Sequence, residues 1–368
     1  MKVKKSLVTV SLLITLGCTV GPVALQAPTT VAEASALSTL ADGAAAMAYV
    51  IGIINNMDNS PEGQRDSLAK TKEQTGYLND YSAQERVKTI LENLSKSPSV
   101  KRSYEVYVNP DTEFNAFMTI GRVMSINKGA LDKLDDHELA YVMAHEIAHG
   151  ENKDVVNGLK KRIGLSTALS IYTGGSEGVA ILSSLASNYL SNQVFTMGQE
   201  KKADELGFKI LADSDYNIGG AAAAMAVMRN EYGDNYREGL LQVIAPNNHP
   251  KSSDRVKDNI NRMYKMTGNR VNVTDGMVIV NGDSIYKPAA EGRYTGEERA
   301  YYMAGKLVKE YSNNRIAPTS AHYSDATVYV NDVPLVTTPN SDVALQVATN
   351  LNNAFIKAPA KSTKNSNP

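Results

Sequence analysis

The segment His145-Glu146-Ile147-Ala148-His149 lies in a stretch, 134–152, whose apolar residues recur at helical spacing. Residues four positions apart on a helix share one face about one turn apart, so both imidazoles can reach one cation. Glu146, next to the first histidine, can then face a water molecule beside that cation. The chain has only five histidines in 368 residues, so chance is a poor explanation of this pattern. The segment therefore predicts a metal site with an adjacent general base.

The two histidines need a further ligand, because catalytic zinc normally takes three protein ligands and leaves a fourth position for water. We select Glu200, the first residue of the segment EKKAD at 200–204, which lies on a second predicted helix. Asp204, one turn after Glu200, is then near enough to orient a ligand imidazole. Other acidic residues compete for the third position: Glu151, Asp154 and Glu205. We expect one Zn²⁺ per chain, held by His145, His149 and Glu200.

The overall composition is that of an ordinary globular protein, with 42% hydrophobic and 21% charged residues. The formal net charge is −1, and no stripe of lysine and arginine interleaved with aromatic residues is present. Such a chain has no electrostatic footprint for a polyanion, so nucleic acid is not an expected partner. The expected partners are polypeptide substrates, and the sequence leaves the oligomeric state open.

Residues 1–34 have the pattern of a secretory signal peptide. Three lysines come first, an apolar run follows at 7–17, and Ala32-Glu33-Ala34 resembles a cleavage site. We therefore expect export to the periplasm or the extracellular medium. Cys18, the only cysteine of the chain, falls inside this leader, so the mature chain would contain no disulfide. The alternative is a lipid anchor attached through Cys18.

The remaining chain predicts an α+β fold in successive regions. Residues 35–100 have helical character, and 101–270 combine a small β-sheet, with a hairpin around Gly121-Arg122, with the helices that carry the metal motif. Residues 271–356 contain two similar ββα-like units about 50 residues apart, each with an Asn-Gly or Asn-Asp turn. Residues 357–368 form a polar tail that we expect to be disordered.

The segment 163–186 is apolar but is interrupted by glycines between 174 and 178. Each half is too short to cross a bilayer. Two helices buried against the core or a partner subunit are the simpler interpretation. A peripheral membrane or envelope-protein contact through 163–186 or 271–356 is the alternative.

The motifs between about Tyr104 and Met266 resemble, in order, the HExxH/ExxxD gluzincin metallopeptidases. This family includes HtpX, the CAAX prenyl proteases and the BepA-like periplasmic peptidases. The matching segments are Asn115-Ala116-Phe117, Glu138-Leu139-Ala140 before His145, EKKAD at 200–204 followed by Gly207, and His249-Pro250 with Arg255. The resemblance implies a mostly helical zincin-type metallopeptidase domain with a small β-sheet. Because no apolar span of about 20 residues follows the leader, the exported branch fits better than the membrane-embedded one.

The resemblance implies an exported zinc-dependent endopeptidase that hydrolyses unfolded or misassembled envelope proteins through an activated water and Glu146. His249 and Arg255 would help to stabilise the oxyanion, and Asn115, Ala116 and Phe117 would offer an edge strand to the substrate. His249 could also occupy the open metal position in a resting state. The alternative function is a zinc-containing secreted chaperone, assembly factor or binding protein with little proteolytic activity.

Overall fold

The computed structural model describes residues 31–175, 177–178, 181–182, 185, 195–234 and 251–357. The predicted leader up to residue 30, Cys18, His249 and the tail from 358 lie outside the described residues, as does part of 163–186. The chain divides into two compact units, Met1–Ala45 and Ala46–Pro368. In the part of the chain that the structure describes, no helix is both long and apolar enough to cross a membrane.

Helices form the beginning of the described chain: α1 (Val31–Asn59), α2 (Pro61–Thr75) and α3 (Tyr81–Leu94). Helix α2 starts where Ser60 accepts a hydrogen bond from the backbone N–H of Gly63 and proline occupies the first helical position. In α3, Val87, Ile90 and Leu94 recur at helical spacing and are buried, so one face of this helix joins the core.

A mixed three-stranded sheet follows, in the spatial order β1-β3-β2. Its strands are β1 (Glu105–Asn109), β2 (Ala116–Met118) and β3 (Val123–Asn127). β1 runs parallel to β3, and β2 runs antiparallel to it through the predicted hairpin. Gly121 and Arg122 both have positive φ angles, of 81° and 63°, which let the chain reverse there. The segment 115–117 therefore lies on or beside an edge strand of this sheet.

These helices follow the sheet along the chain: α4 (Lys128–Lys133), α5 (Asp136–Glu151), α6 (Asp154–Arg162), α7 (Leu165–Thr173), α8 (Met197–Ala212), α9 (Gly220–Tyr232) and α10 (Ser252–Met266). Helix α5 is buried along most of its length and packs against α3, α8, α9 and β2. Its start is fixed by a capping box, in which Asp135 accepts from the backbone N–H of Glu138 and Glu138 accepts from that of Asp135. The α+β architecture predicted from the sequence is confirmed.

The last part of the chain contains two similar units, whose strands are offset by 50 residues and whose helices begin 45 residues apart. The first unit comprises β4 (Val271–Thr274), β5 (Met277–Val280), β6 (Asp283–Tyr286) and α11 (Gly296–Ser312). The second comprises β7 (Ala321–Ser324), β8 (Thr327–Val330), β9 (Val333–Thr337) and α12 (Ser341–Phe355). Each unit has a three-stranded antiparallel sheet, one strand more than the predicted ββα pattern. Even the bulges correspond, at Val278/Ile279 and Val328/Tyr329.

The loop between β6 and α11, together with Tyr302 of α11, contacts the beginning of α5. Arg293 donates a hydrogen bond of 2.7 Å to the buried carboxylate of Glu138, and the hydroxyls of Tyr294 and Tyr302 donate to Asp135. One oxygen of Glu138 is buried without a hydrogen-bond partner. The C-terminal units therefore hold the capping residues of the helix that carries the HExxH segment.

This contact predicts a pH dependence of stability. Burial, with a smaller contribution from Asp135, raises the pKa of Glu138 to about 7. Since a glutamate in the unfolded chain titrates near pH 4.3, the folded protein holds a proton that the unfolded chain releases between these values. The stabilising contribution is thus complete below about pH 4 and is lost as the pH rises through about 7.

The measurement is chemical unfolding of the parent and of Glu138→Gln at pH 5 and pH 8. Glutamine keeps the capping position but does not titrate. Between these pH values the parent is expected to lose about 2 kcal/mol more unfolding free energy than Glu138→Gln. The exposed Glu205→Gln is the control and should behave as the parent. Equal pH dependence in all three proteins would contradict the prediction.

Candidate active site

His145 and His149 project from the same face of α5. Their Nε2 atoms lie 3.1 Å apart, and the two side chains are almost completely buried, with relative exposures of 4% and 1%. A surface helix would leave such imidazoles in water. Here α8 and α9 pack against α5 and enclose the two imidazoles, so each ring is held in a fixed orientation.

Helix α8 brings Glu200 to this pair. One carboxylate oxygen lies 3.6 Å from Nε2 of His145 and the other 3.7 Å from Nε2 of His149. Among the described residues, these three form the cluster of potential ligands that could hold a metal ion. Ligand atoms about 2.0–2.1 Å from a tetrahedral zinc lie about 3.3 Å from one another. The observed separations and the donor set of two imidazoles and one carboxylate therefore fit zinc.

Asp204 lies behind His145, on the side away from Glu200. Its Oδ1 is 3.0 Å from Nδ1 of His145, and Tyr141 donates a hydrogen bond of 3.1 Å to the same oxygen. Arg255 donates to both carboxylate oxygens, at 3.0 and 2.6 Å. Burial alone would raise the pKa of Asp204, but Arg255 and His145 outweigh it and hold that pKa well below its usual range. An ionised carboxylate here favours the proton on Nδ1 and a free lone pair on Nε2 of His145.

The competing third-ligand candidates lie elsewhere. The carboxylate of Glu151 accepts hydrogen bonds from the hydroxyl of Tyr104 and from the backbone N–H groups of residues 101 and 102. Glu205 is exposed on α8. The carboxylate of Asp154 contacts His149, but at Nδ1, with an Oδ2 to Nδ1 distance of 2.9 Å. It is therefore on the far side of the ring from Glu200.

Glu146 faces a narrow cavity beside His145. Asn115 and Ala116 at β2, Met225 of α9 and Arg255 of α10 line the same cavity. The cavity therefore places the edge strand, the candidate general base and one candidate metal ligand around a common space. His249, whose predicted role belongs to this space, lies outside the described residues.

Several contacts at the site were not identified from the sequence. Tyr141 contacts Asp204, Phe195 stacks on the ring of His149 with centroids 3.9 Å apart, and Gln199 contacts Asp154. Only Gln199 has a local signal, because Thr196 and Gln199 have the spacing of a capping box. The other two contacts depend on packing between separate elements.

Comparison with known proteins gives a match to the model of peptidase family M48 over residues 81–262. A "Putative beta-barrel assembly-enhancing protease" of Vibrio cholerae is 26% identical over 197 residues, which are 50% of this chain and 40% of that protein. "Metalloprotease LoiP" of Escherichia coli is 26% identical over 165 residues, or 44% of this chain and 62% of LoiP. A "Protease HtpX homolog" of Salinibacter ruber is 30% identical over 123 residues, or 29% of this chain and 44% of the homolog.

The chain thus spans less than two thirds of the length of each of these relatives. The family match contains α5 and α8, and with them both histidines, Glu146, Glu200 and Asp204. A metallopeptidase acts on polypeptides, which agrees with the expected class of substrate. Residues 81–262 of this chain therefore form a domain of peptidase family M48, and the relatives named as proteases support a metalloendopeptidase.

Proposed function

We propose that this protein is an exported zinc-dependent endopeptidase that hydrolyses unfolded or misassembled proteins of the cell envelope. The observation that carries the proposal is the convergence of His145, His149 and Glu200 directly beside Glu146. A purely structural metal site has no need of a neighbouring general base. This arrangement therefore favours catalysis over the alternative of a zinc-containing chaperone or binding protein.

His145, His149 and Glu200 would hold the ion, with Asp204 orienting the first imidazole. When bound, zinc supplies Lewis acidity, which acidifies water and polarises a carbonyl group. Glu146 takes the proton of the attacking water and passes it to the departing amine nitrogen. Arg255 lines the cavity while it holds Asp204, and we assign it, with His249, to stabilisation of the oxyanion.

Asn115, Ala116 and Phe117 are assigned to substrate binding. Among the described residues, β2 pairs with β3 along one edge only, so its other edge can accept an extended polypeptide by main-chain hydrogen bonds. Such binding recognises the backbone more than the side chains. We therefore expect cleavage of many unfolded sequences.

Export is supported by the leader-like sequence at 1–34, and an envelope substrate by the likeness to the Vibrio cholerae relative, which is named as a beta-barrel assembly-enhancing protease. We assign the periplasm or the extracellular medium as the location, with a lipid anchor at Cys18 as the alternative. The regions 163–186 and 271–356 are our candidates for contact with a membrane surface or with envelope proteins. We also propose the domain boundaries predicted from the sequence, which are a helical region at 35–100, the peptidase domain at 101–270 and the C-terminal domain at 271–356.

The test is the metal content of the purified parent and of His149→Ala, measured together with cleavage of unfolded casein with and without a chelator. We expect one zinc per parent chain, chelator-sensitive cleavage, and loss of both in the variant. Zinc without cleavage would favour the chaperone or binding-protein alternative. Absence of metal from both samples would overturn the assignment of the site.

A further inference from the structure

Asp154 reaches His149 because the chain breaks between two helices. In one continuous helix, a residue five positions after His149 would lie about 140° around the axis from it. Instead α5 ends at Glu151, and Lys153 adopts a left-handed conformation with φ of 56°. Helix α6 then starts at Asp154, whose carboxylate comes to 2.9 Å from Nδ1 of His149. The side chain of Asp154 is 8% exposed, so this contact is shielded from water.

The second oxygen of Asp154 is also engaged. The side-chain amide of Gln199 donates to Oδ1 of Asp154 over 2.9 Å. Gln199 is itself fixed by the capping box at the start of α8, where its Oε1 accepts from the backbone N–H of Thr196 over 2.9 Å. Gln199 directly precedes Glu200. The first turn of α8 therefore supplies both Glu200, which lies near the Nε2 atoms of the two histidines, and Gln199, which contacts the carboxylate behind His149.

The two histidines are supported by carboxylates in different electrostatic settings. Asp204, behind His145, is paired with the guanidinium of Arg255. Asp154, behind His149, accepts from the neutral amide of Gln199. A neutral donor orients the carboxylate without cancelling its charge. More of the negative charge of Asp154 is then available to polarise the imidazole of His149 and to make its Nε2 a better ligand.

We propose that Asp154 and Gln199 are positioning residues of the metal site. Asp154 holds the Nδ1–H of His149, which leaves the Nε2 lone pair directed at the ion. Gln199 holds Asp154 and couples its position to the turn that supplies Glu200. This inference rests on the proposed function for the identity of the ion, but the histidine geometry itself requires no metal.

Zinc affinity, measured by competition with a chromophoric chelator, is the first test. Asp154→Ala is expected to weaken zinc binding by about 10- to 100-fold. Gln199→Met is expected to weaken it in the same direction by a smaller factor. The matched controls are Glu205→Ala, which removes an exposed carboxylate from α8, and Lys209→Met, which places a methionine at an exposed position in the last part of the same helix. Both controls should bind zinc as the parent does.

The second test uses the metal-free protein labelled with ¹⁵N at histidine. In the parent at a pH where the ring is neutral, the signal of His149, identified by its absence in His149→Ala, should show the proton on Nδ1. Asp154→Ala should shift this tautomer towards Nε2–H, which a merely structural role of Asp154 would not do. Thermal unfolding of each metal-free variant identifies any that has lost its fold, and Gln199→Met, altered only at a partly exposed side chain, then decides the question.

The proposal is overturned if Asp154→Ala and Gln199→Met bind zinc no more weakly than their respective controls. An unchanged tautomer of His149 in folded Asp154→Ala would overturn it equally. If the parent binds no zinc, the proposed function fails, whereas the tautomer measurement still decides the role of Asp154. Failure of the two proposals can therefore be distinguished.

Discussion

Replacing Glu146 by glutamine is expected to lower cleavage of unfolded casein by about 10²- to 10⁴-fold, the usual contribution of a general acid–base residue. Glutamine has almost the same shape as glutamate, but its amide cannot take a proton from water at neutral pH. Glu146 is not among the three residues whose ligand atoms converge, so zinc content should not change. The result is obtained by measuring cleavage rate and zinc content on the same purified samples.

The control for this substitution is Glu205→Gln, which makes the same change of charge and shape at an exposed position of α8. It should keep both zinc and activity. Full activity of Glu146→Gln would refute the assignment of Glu146 as the general base. Loss of zinc together with activity would instead show that Glu146 supports the metal site, and the catalytic assignment would then have no independent support.

The central helix and the two histidines could be predicted because their signals are local. The i and i+4 spacing within 145–149 is a property of a single helix, and the acidic residues at 135 and 136 mark where that helix begins. Glu200 and Asp204 follow the same rule on α8, where they lie one turn apart. In each case a short segment contains the information, and the fold only has to bring the two helices together.

The role of Asp154 could not be predicted in this way. Its contact with His149 depends on where α5 ends and on the left-handed conformation of Lys153, and the sequence gives no strong signal for either. Without that break, Asp154 and Glu151 are equivalent acidic residues after the histidine. Phe195 and Tyr141 are further examples, because Phe195 reaches His149 from the segment before α8 and Tyr141, on α5, reaches Asp204 on α8.

In the C-terminal repeat, the number of strands in each unit could not be predicted from the sequence. The turns at 281–282 and 331–332 predicted one hairpin in each unit, but the turn at Asp275-Gly276, with φ of 50° and 73°, and its counterpart at Asp325 add a further strand. Strands of four residues are at the lower limit of length at which alternation indicates a strand. Helix α11 also packs on β9, and α12 on β5 and β6, so each helix covers strands of both units. Such long-range packing is not readable from a period within one unit.

Gly207→Ala is the second substitution with a large expected effect. Alanine is favoured over glycine inside a helix by about 1 kcal/mol, so α8 alone would gain from it. However, a Cβ at residue 207 would lie 2.9 Å from both the backbone N and the Cα of His145. These atoms belong to the buried helix α5 and cannot move aside as a flexible side chain could. The two helices would have to separate at the point where Glu200 and Asp204 approach His145.

We therefore expect Gly207→Ala to lose about 1–3 kcal/mol of unfolding free energy, the usual cost of overpacking, and to bind zinc more weakly than the parent. The matched control is Gly198→Ala on the same helix, where the added Cβ would meet only the hydroxyl of Thr196 at 4.0 Å. Chemical unfolding and chelator competition are measured on both variants. If Gly207→Ala matched Gly198→Ala in both stability and zinc affinity, close approach of α8 to α5 would not be a requirement of the site. A loss of affinity beyond the control would show that glycine at 207 sets the distance between the helix with the two histidines and the helix with Glu200.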